Sequence, residues 1–131
     1  MITEIEQRRQ FRLSQCRDKL QLAALMMAQH RYNEAVIYSY LSMFYSVRLL
    51  LIEHDDDSDD HDKILELEKR YYEPCGWTGI DIMALLKDTK SFRDSISKSP
   101  GHRVSEDDAE KFYSNAMTVM NEVLQHLKIK S

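Results

Sequence analysis

The sequence predicts an all-α fold: an antiparallel up-and-down four-helix bundle with an additional short helix, in a single domain over residues 1–131. Three observations carry this. Only 3 Gly and 2 Pro occur in 131 residues, too few turn formers for a many-stranded sheet, while the strong helix formers Leu, Met, Ala, Glu, Lys and Arg dominate. The stretch RYNEAVIYSYLSMFYSVRLLLIEH, residues 31–54, is apolar on several sides, so more than one partner helix must cover it. Within it Ala35, Ser39, Ser42 and Ser46 form a thin seam along which one partner can approach closely. At 15.5 kDa the chain buries roughly two-thirds of its extended surface, enough for one self-supporting core.

The elements follow in order. Thr3 with Glu6 makes a capping box, and Leu13, Cys16, Leu20, Ala23, Ala24 and Met27 mark one helical face as far as about Gln29. The quoted segment follows almost without a loop, so the second helix folds back antiparallel on the first. The acidic run HDDDSDDHD ends it. Asp59 or Asp60 caps a third, shorter helix carrying Ile64, Leu65 and Leu67 to Tyr71 or Tyr72, where EPCGW breaks it. Thr78 with Asp81 opens a fourth helix through Ile80, Ile82, Met83, Leu85, Leu86 and Phe92. After the polar connection SISKSPGHRV, Ser105 and the carboxylates Glu106, Asp107 and Asp108 meet the positive end of a last helix. That helix runs through Phe112, Ala116, Val119, Val123 and Leu127, with Lys128 and Lys130 at its negative end.

The formal charge is −4, but Glu53, Asp55, Asp56, Asp57, Asp59, Asp60 and Asp62 contribute −7, which leaves +3 for the remainder. Such a remainder permits contact with phosphates and falls short of the concentrated patch of a duplex-DNA binder. The start, MITEIEQRRQF, is charged and has no apolar run long enough for a signal peptide or membrane span, so a cytoplasmic protein with no membrane partner is expected. Cys16 on an apolar helix face and Cys75 in a turn are expected to be a core and a loop thiol rather than a disulfide.

Several patterns invite chemistry. Asp55, Asp57, Asp59 and Glu66 occupy the first, third, fifth and twelfth positions of a calcium-loop pattern, but Asp60 stands where its turn requires Gly and Lys63 stands at the ninth position. A solvated, mobile acidic loop that buries nothing is the expectation, with no metal site and no cofactor. No glutamate has a histidine three residues later, which excludes the paired Glu-x-x-His di-metal bundles. His61-Asp62-Lys63 and His126-Leu127-Lys128 lack the glycine of phosphotransfer bundles, so both histidines are expected on an ordinary surface. Tyr38, Tyr40, Tyr45 and Tyr113 fit beside the core; Tyr71 and Tyr72, next to Trp77, suit the lining of a cleft that binds nucleotide or RNA. In FRDSISKSPGHR, Arg93 near one helix end can converge with His102 and Arg103 before the next, joining a fixed cation to a titratable imidazole beside helix-end amides. That set suits phosphate binding or phosphodiester cleavage, with Arg93 and His102 as the catalytic pair. The alternative is a solvated connection.

Taken together, HRYNEAVIYSYLSMFYSVRLLLI, DHDKI, FRDSI and VSEDDAEKFYSNA resemble, in that order, the HEPN domain family (higher eukaryotes and prokaryotes nucleotide-binding). The resemblance covers nearly the whole chain. It implies a homodimer with a composite cleft, an implication the small-residue seam also suggests. It further implies either a metal-independent ribonuclease of toxin-antitoxin or defence systems, or a noncatalytic partner of a small nucleotidyltransferase. The ribonuclease branch carries an Arg followed, after four to six residues, by His. Arg93 matches the Arg, but Ser97 to Pro100 occupy the His range and His102 follows it. The sequence therefore favours a nucleotide- or RNA-binding module over an endoribonuclease toxin with a degenerate motif.

Overall fold

The computed structural model describes residues 2–73, 76–99 and 101–129. Readings at Pro74, Cys75, Pro100 and Lys130 fall outside them. Among the described residues, five α-helices make up the all-α fold: α1 (Glu4–Ala28), α2 (Tyr32–Leu51), prolonged by a 3-10 turn (Ile52–His54), α3 (His61–Tyr72), α4 (Ile82–Lys98) and α5 (Glu106–His126).

The caps explain most boundaries. Thr3 and Glu6 close a reciprocal box at 3.1 and 3.2 Å, Asp60 rather than Asp59 accepts from the Lys63 amide at 3.0 Å, and Ser105 accepts from Asp108 at 3.1 Å. A cap bonds to the amide two or three residues on. Asp81 does so with Ala84 at 3.0 Å, so α4 starts at Ile82 and not at Ile80. Thr78, expected in that cap, instead donates to Glu122 of α5 at 2.8 Å. α5 also stops short of the expected lysine, because Lys128 has φ 59, in the left-handed region that ends helices.

α2 lies at the centre, packed on α1, α3, α4 and α5. Ser42 Oγ donates to the Cys16 carbonyl of α1 at 2.8 Å, Lys19 lies 5.7 Å from the Tyr38 ring, and Arg12 and Arg48 share Asp57. Numbers on one helix fall as those on the other rise, so the pair is antiparallel. Thr89 against Met43 and Arg93 against Tyr40 give the same direction to α4. α5 runs with α2, since Asn33 holds the His102 carbonyl and Val104 amide before its start and Glu53 meets His126 at its end.

The seam is filled within the chain. Ala35, Ser39, Ser42 and Ser46 are all fully buried, and Ser42 bonds across to α1 while Ser46 bonds back to the Ser42 carbonyl. Small side chains thus serve close packing of α2 on α1, and the seam is not exposed for a contact with a second copy. The stretch Tyr32–His54 has the length and apolarity of a membrane span, but 72% of its apolar window is buried inside the bundle, as a central helix requires.

The acidic run departs from the solvated loop expected. It runs back along α2 as a strap, from Asp55 on Arg8 at 2.6 Å to Asp57 on Arg12 at 3.0 Å and Arg48 at 2.8 Å, and then to His61 beside Tyr40. Asp56 accepts from Tyr71 at 2.9 Å. Carboxylates that would repel one another in a free loop are met by donors at Asp55, Asp56 and Asp57, and for Asp55 and Asp57 these are arginines of α1 and α2 along the strap's course. Two calcium-pattern positions, Asp55 and Asp57, are thereby occupied by arginines. Burial pushes the Asp57 carboxyl up, but the bidentate Arg48 guanidinium and then Arg12 more than offset this and hold it below its ordinary value of 3.8. A depressed carboxylate stabilises the fold above its unfolded pKa and loses that contribution as pH falls through the folded value. Asp57→Asn is therefore expected to cost about 1–2 kcal/mol at pH 7, with the difference from wild type shrinking in acid. Thermal melts between pH 7 and pH 2 check this, and coincident curves throughout would show that the strap adds nothing.

Candidate functional site

A groove of ≈ 350 Å³ lies where α2, the start of α3 and α4 meet. On α2, Tyr40, Leu41, Phe44, Tyr45 and Arg48 line it, at spacings that place them on one helical face. Lys90 and Arg93, three apart on α4, form the opposing wall, and the strap delivers Asp59, Asp60 and His61 to its edge. The wall thus carries three cations and two carboxylates.

These groups are interlocked. The Arg93 guanidinium lies 4.9 Å from the centre of the Tyr40 ring, a cation–π contact. Tyr40 Oη is 2.8 Å from His61 Nδ1, and the His61 ring is near-parallel to Phe44 at 6.5 Å. Arg48 is committed to Asp57 through two hydrogen bonds and Lys90 to Asp94 at 2.8 Å. Among the described residues, Arg93 makes no ion pair. Burial pushes the Tyr40 phenol up to about 12, against the opposing pull of Arg93 and with further raising by Asp94, Asp62 and Asp60. Its hydroxyl therefore stays protonated and can either donate to Nδ1 or accept from Nδ1–H, and the second tautomer leaves the Nε2 lone pair of a neutral imidazole free to take a proton. Burial, and then Lys90, lower the His61 pKa from its ordinary 6.5 against the acidic neighbours Asp62, Asp94 and Asp60. An arginine fixed over an aromatic floor beside a neutral imidazole can bind a phosphate, stack a base and accept a proton.

The domain family model named HEPN domain matches residues 10–127. This chain belongs to the HEPN domain family. No curated protein matches it. At family level the match marks a nucleotide- or RNA-related module, and the matched span contains every residue of the groove.

In this HEPN domain Arg93 is the one sequence-predicted site residue in the groove. The His102 ring packs edge-on to Phe92 at 6.0 Å, and the His102 carbonyl accepts from Asn33. Phe92 and Arg93 are consecutive on α4 and project about 100° apart: Phe92 reaches Phe112 of α5 at 4.7 Å while Arg93 faces α2. His102 therefore belongs to the α4–α5 side, with exposed Arg103 beside it before the α5 cap. Tyr71 and Tyr72 lie ten and eleven residues beyond His61, about 15 Å along α3 at the helical rise. Tyr71 stacks on His54 at 4.0 Å, and Tyr72 is buried, donating to the Leu50 carbonyl and Glu53; with Trp77, Tyr72 lines a different cavity.

His61 is the groove residue that sequence reasoning misses. Expected on an ordinary surface, it is half-buried against Tyr40 and Phe44, because the strap's return along α2 sets the start of α3 against that helix. His126 is likewise no isolated surface residue: it sits 2.9 Å from Glu53 and 4.8 Å from the Trp77 ring. The local DHDKI pattern, which supplies the cap and first turn of α3, is the sequence signal for His61. Its environment gives a direct check. The His61 imidazole should titrate below 6.5 by NMR, and Lys90→Met should move its midpoint upward by removing a repelling charge; an unshifted midpoint in both proteins would contradict the geometry.

Proposed function

We propose that this HEPN domain is a binding module whose α2–α3–α4 groove takes a phosphate of a nucleotide or of single-stranded RNA. Arg93 is its principal contact. The observation that supports this is the Arg93 guanidinium, held over Tyr40 without an ion-pair partner among the described residues and therefore available to a ligand anion. Tyr40, Phe44 and Tyr45 supply ring surface for a base. Two groove carboxylates against three cations suit one or two phosphates rather than a duplex backbone. The same reading includes a homodimer, and a small nucleotidyltransferase as partner in a toxin-antitoxin or defence setting, as the resemblance implies.

A second reading, a metal-independent endoribonuclease, is favoured by one observation: a neutral imidazole, His61, shares the groove with Arg93. Here His61 rather than His102 would take the proton of a ribose 2′-hydroxyl while Arg93 stabilises the phosphorane.

Labelled single-stranded RNA and nucleotides in EDTA buffer separate these readings. Arg93→Ala is expected to weaken binding about tenfold and to reduce the salt slope by about one. The binding module predicts intact RNA throughout. The enzyme predicts cleavage that His61→Ala abolishes and His102→Ala spares. Unchanged affinity and slope in Arg93→Ala would overturn both. Light scattering should give twice 15.5 kDa; the single-chain mass across micromolar concentrations would refute the homodimer.

A further inference from the structure

A second cavity, of ≈ 330 Å³, opens between the C-terminal half of α3 and the start of α4. Glu68 lines it, and that residue is only 8% exposed. Among the described residues its carboxylate has no hydrogen bond and no ion pair. Buried polar groups in folded proteins are nearly always satisfied, and an unpaired buried carboxylate is among the costliest exceptions. The partly buried carboxylates of the neighbouring strap and helix end are partnered: Asp57 has two arginines, and Glu53 has Tyr72 and His126.

The rest of the wall shows what Glu68 lacks. Glu73 and Asp81 also line the cavity, and neither forms an ion pair among the described residues, although Asp81 accepts from the Ala84 amide. Trp77 and Tyr72 stand edge-on at 5.7 Å along the same wall, and Ile80, Ile82 and Met83 add apolar surface. Carboxylates without cations beside aromatic faces are the chemistry that receives an ammonium group. The described residues hold no group of three His, Cys, Asp or Glu placed to bind a metal ion. Dispersed acids with apolar surface between them suit instead a cation whose charges are separated by methylenes.

We propose that this cavity binds a linear aliphatic diamine or polyamine, with one ammonium on Glu68, a second toward Glu73 and Asp81, and the methylene chain on Trp77 and the apolar wall. The site is separate from the Arg93 groove and independent of its reading. Burial first, and then Asp81 and Glu73, push the Glu68 carboxyl up to about 7, so an ammonium bound there would displace a proton from a fraction of the molecules.

Trp77 is the single tryptophan and reports on its own cavity. Titration of the whole chain with spermidine and cadaverine should give a saturable change in tryptophan emission, matched by calorimetry. Glu68→Gln, which keeps the shape and removes the charge, should weaken binding about tenfold or more while melting no lower than wild type. Asp81→Asn, which keeps the α4 cap, should weaken it less, and Asp18→Asn on the exposed face of α1 should leave it unchanged. No saturable change, or equal affinity in Glu68→Gln and Asp81→Asn, would overturn the proposal. A response to N-acetyl-lysine methylamide but to neither amine would also overturn it, and would assign the cavity to a lysine side chain of a partner protein.

Discussion

Burial of α2 on every side is the constraint from which the rest of the structure follows. A helix carrying Val36, Met43, Val47, Leu49, Leu50 and Leu51, all fully buried, cannot be covered by one neighbour, so α1, α3, α4 and α5 must each take a sector. The serine seam sets how closely α1 approaches. Ser42 bonds the Cys16 carbonyl at 2.8 Å, which satisfies a hydroxyl that would otherwise be stranded in the core. A larger side chain at Ser42 or Ser46 would force the helices apart and disturb the register that brings Arg12 and Arg48 to one carboxylate.

The strap depends on that register. Exposed ion pairs contribute little individually, and Arg8–Asp55, with Asp55 77% exposed, belongs in that class. Asp57 differs because the Arg48 and Arg12 side chains are only 11% and 16% exposed, and because two guanidiniums converge on a single carboxylate. The pair also has a geometric consequence beyond its energy. By holding the chain against α2 immediately before α3, it sets Asp60 as the helix cap and His61 against Tyr40. The composition of the groove therefore rests on contacts made by residues that look, in sequence, like a disordered acidic tract.

Legibility followed the range of the interactions. Helix starts were readable at Thr3 and Ser105, and to within one residue at Asp60, since a cap and its amide lie within three residues. The start of α4 was misplaced by Thr78 because its hydroxyl is taken by Glu122, 44 residues away. The burial of Ser39, Ser42 and Ser46 was implied by their spacing, but not that α1 fills the seam, since spacing identifies a close approach without identifying the partner. Arg93 was expected to converge with His102 and Arg103 between α4 and α5; it lines the α2–α3–α4 groove, while His102 packs on Phe92, one residue and about 100° around α4 from it. His61 could not be found from local pattern alone, because its position depends on ion pairs spanning 45 residues of sequence.

Arg93 and Glu68 show how the chain treats charge beside a cavity. Each lies in a wall, and neither has an ion-pair partner among the described residues, yet the two are made tolerable by different physics. A guanidinium does not lose its proton in a protein, so Arg93 keeps its charge and is accommodated by the π face of Tyr40. A carboxylate has the other recourse, and Glu68, its pKa pushed up to about 7, can take a proton. A ligand anion at Arg93 would add Coulombic attraction to a charge already present, whereas a ligand cation at Glu68 would first displace a proton from a fraction of the molecules. The two cavities therefore differ in sign and also in how their affinities couple to pH, with coupling expected of Glu68 near neutrality and not of Arg93.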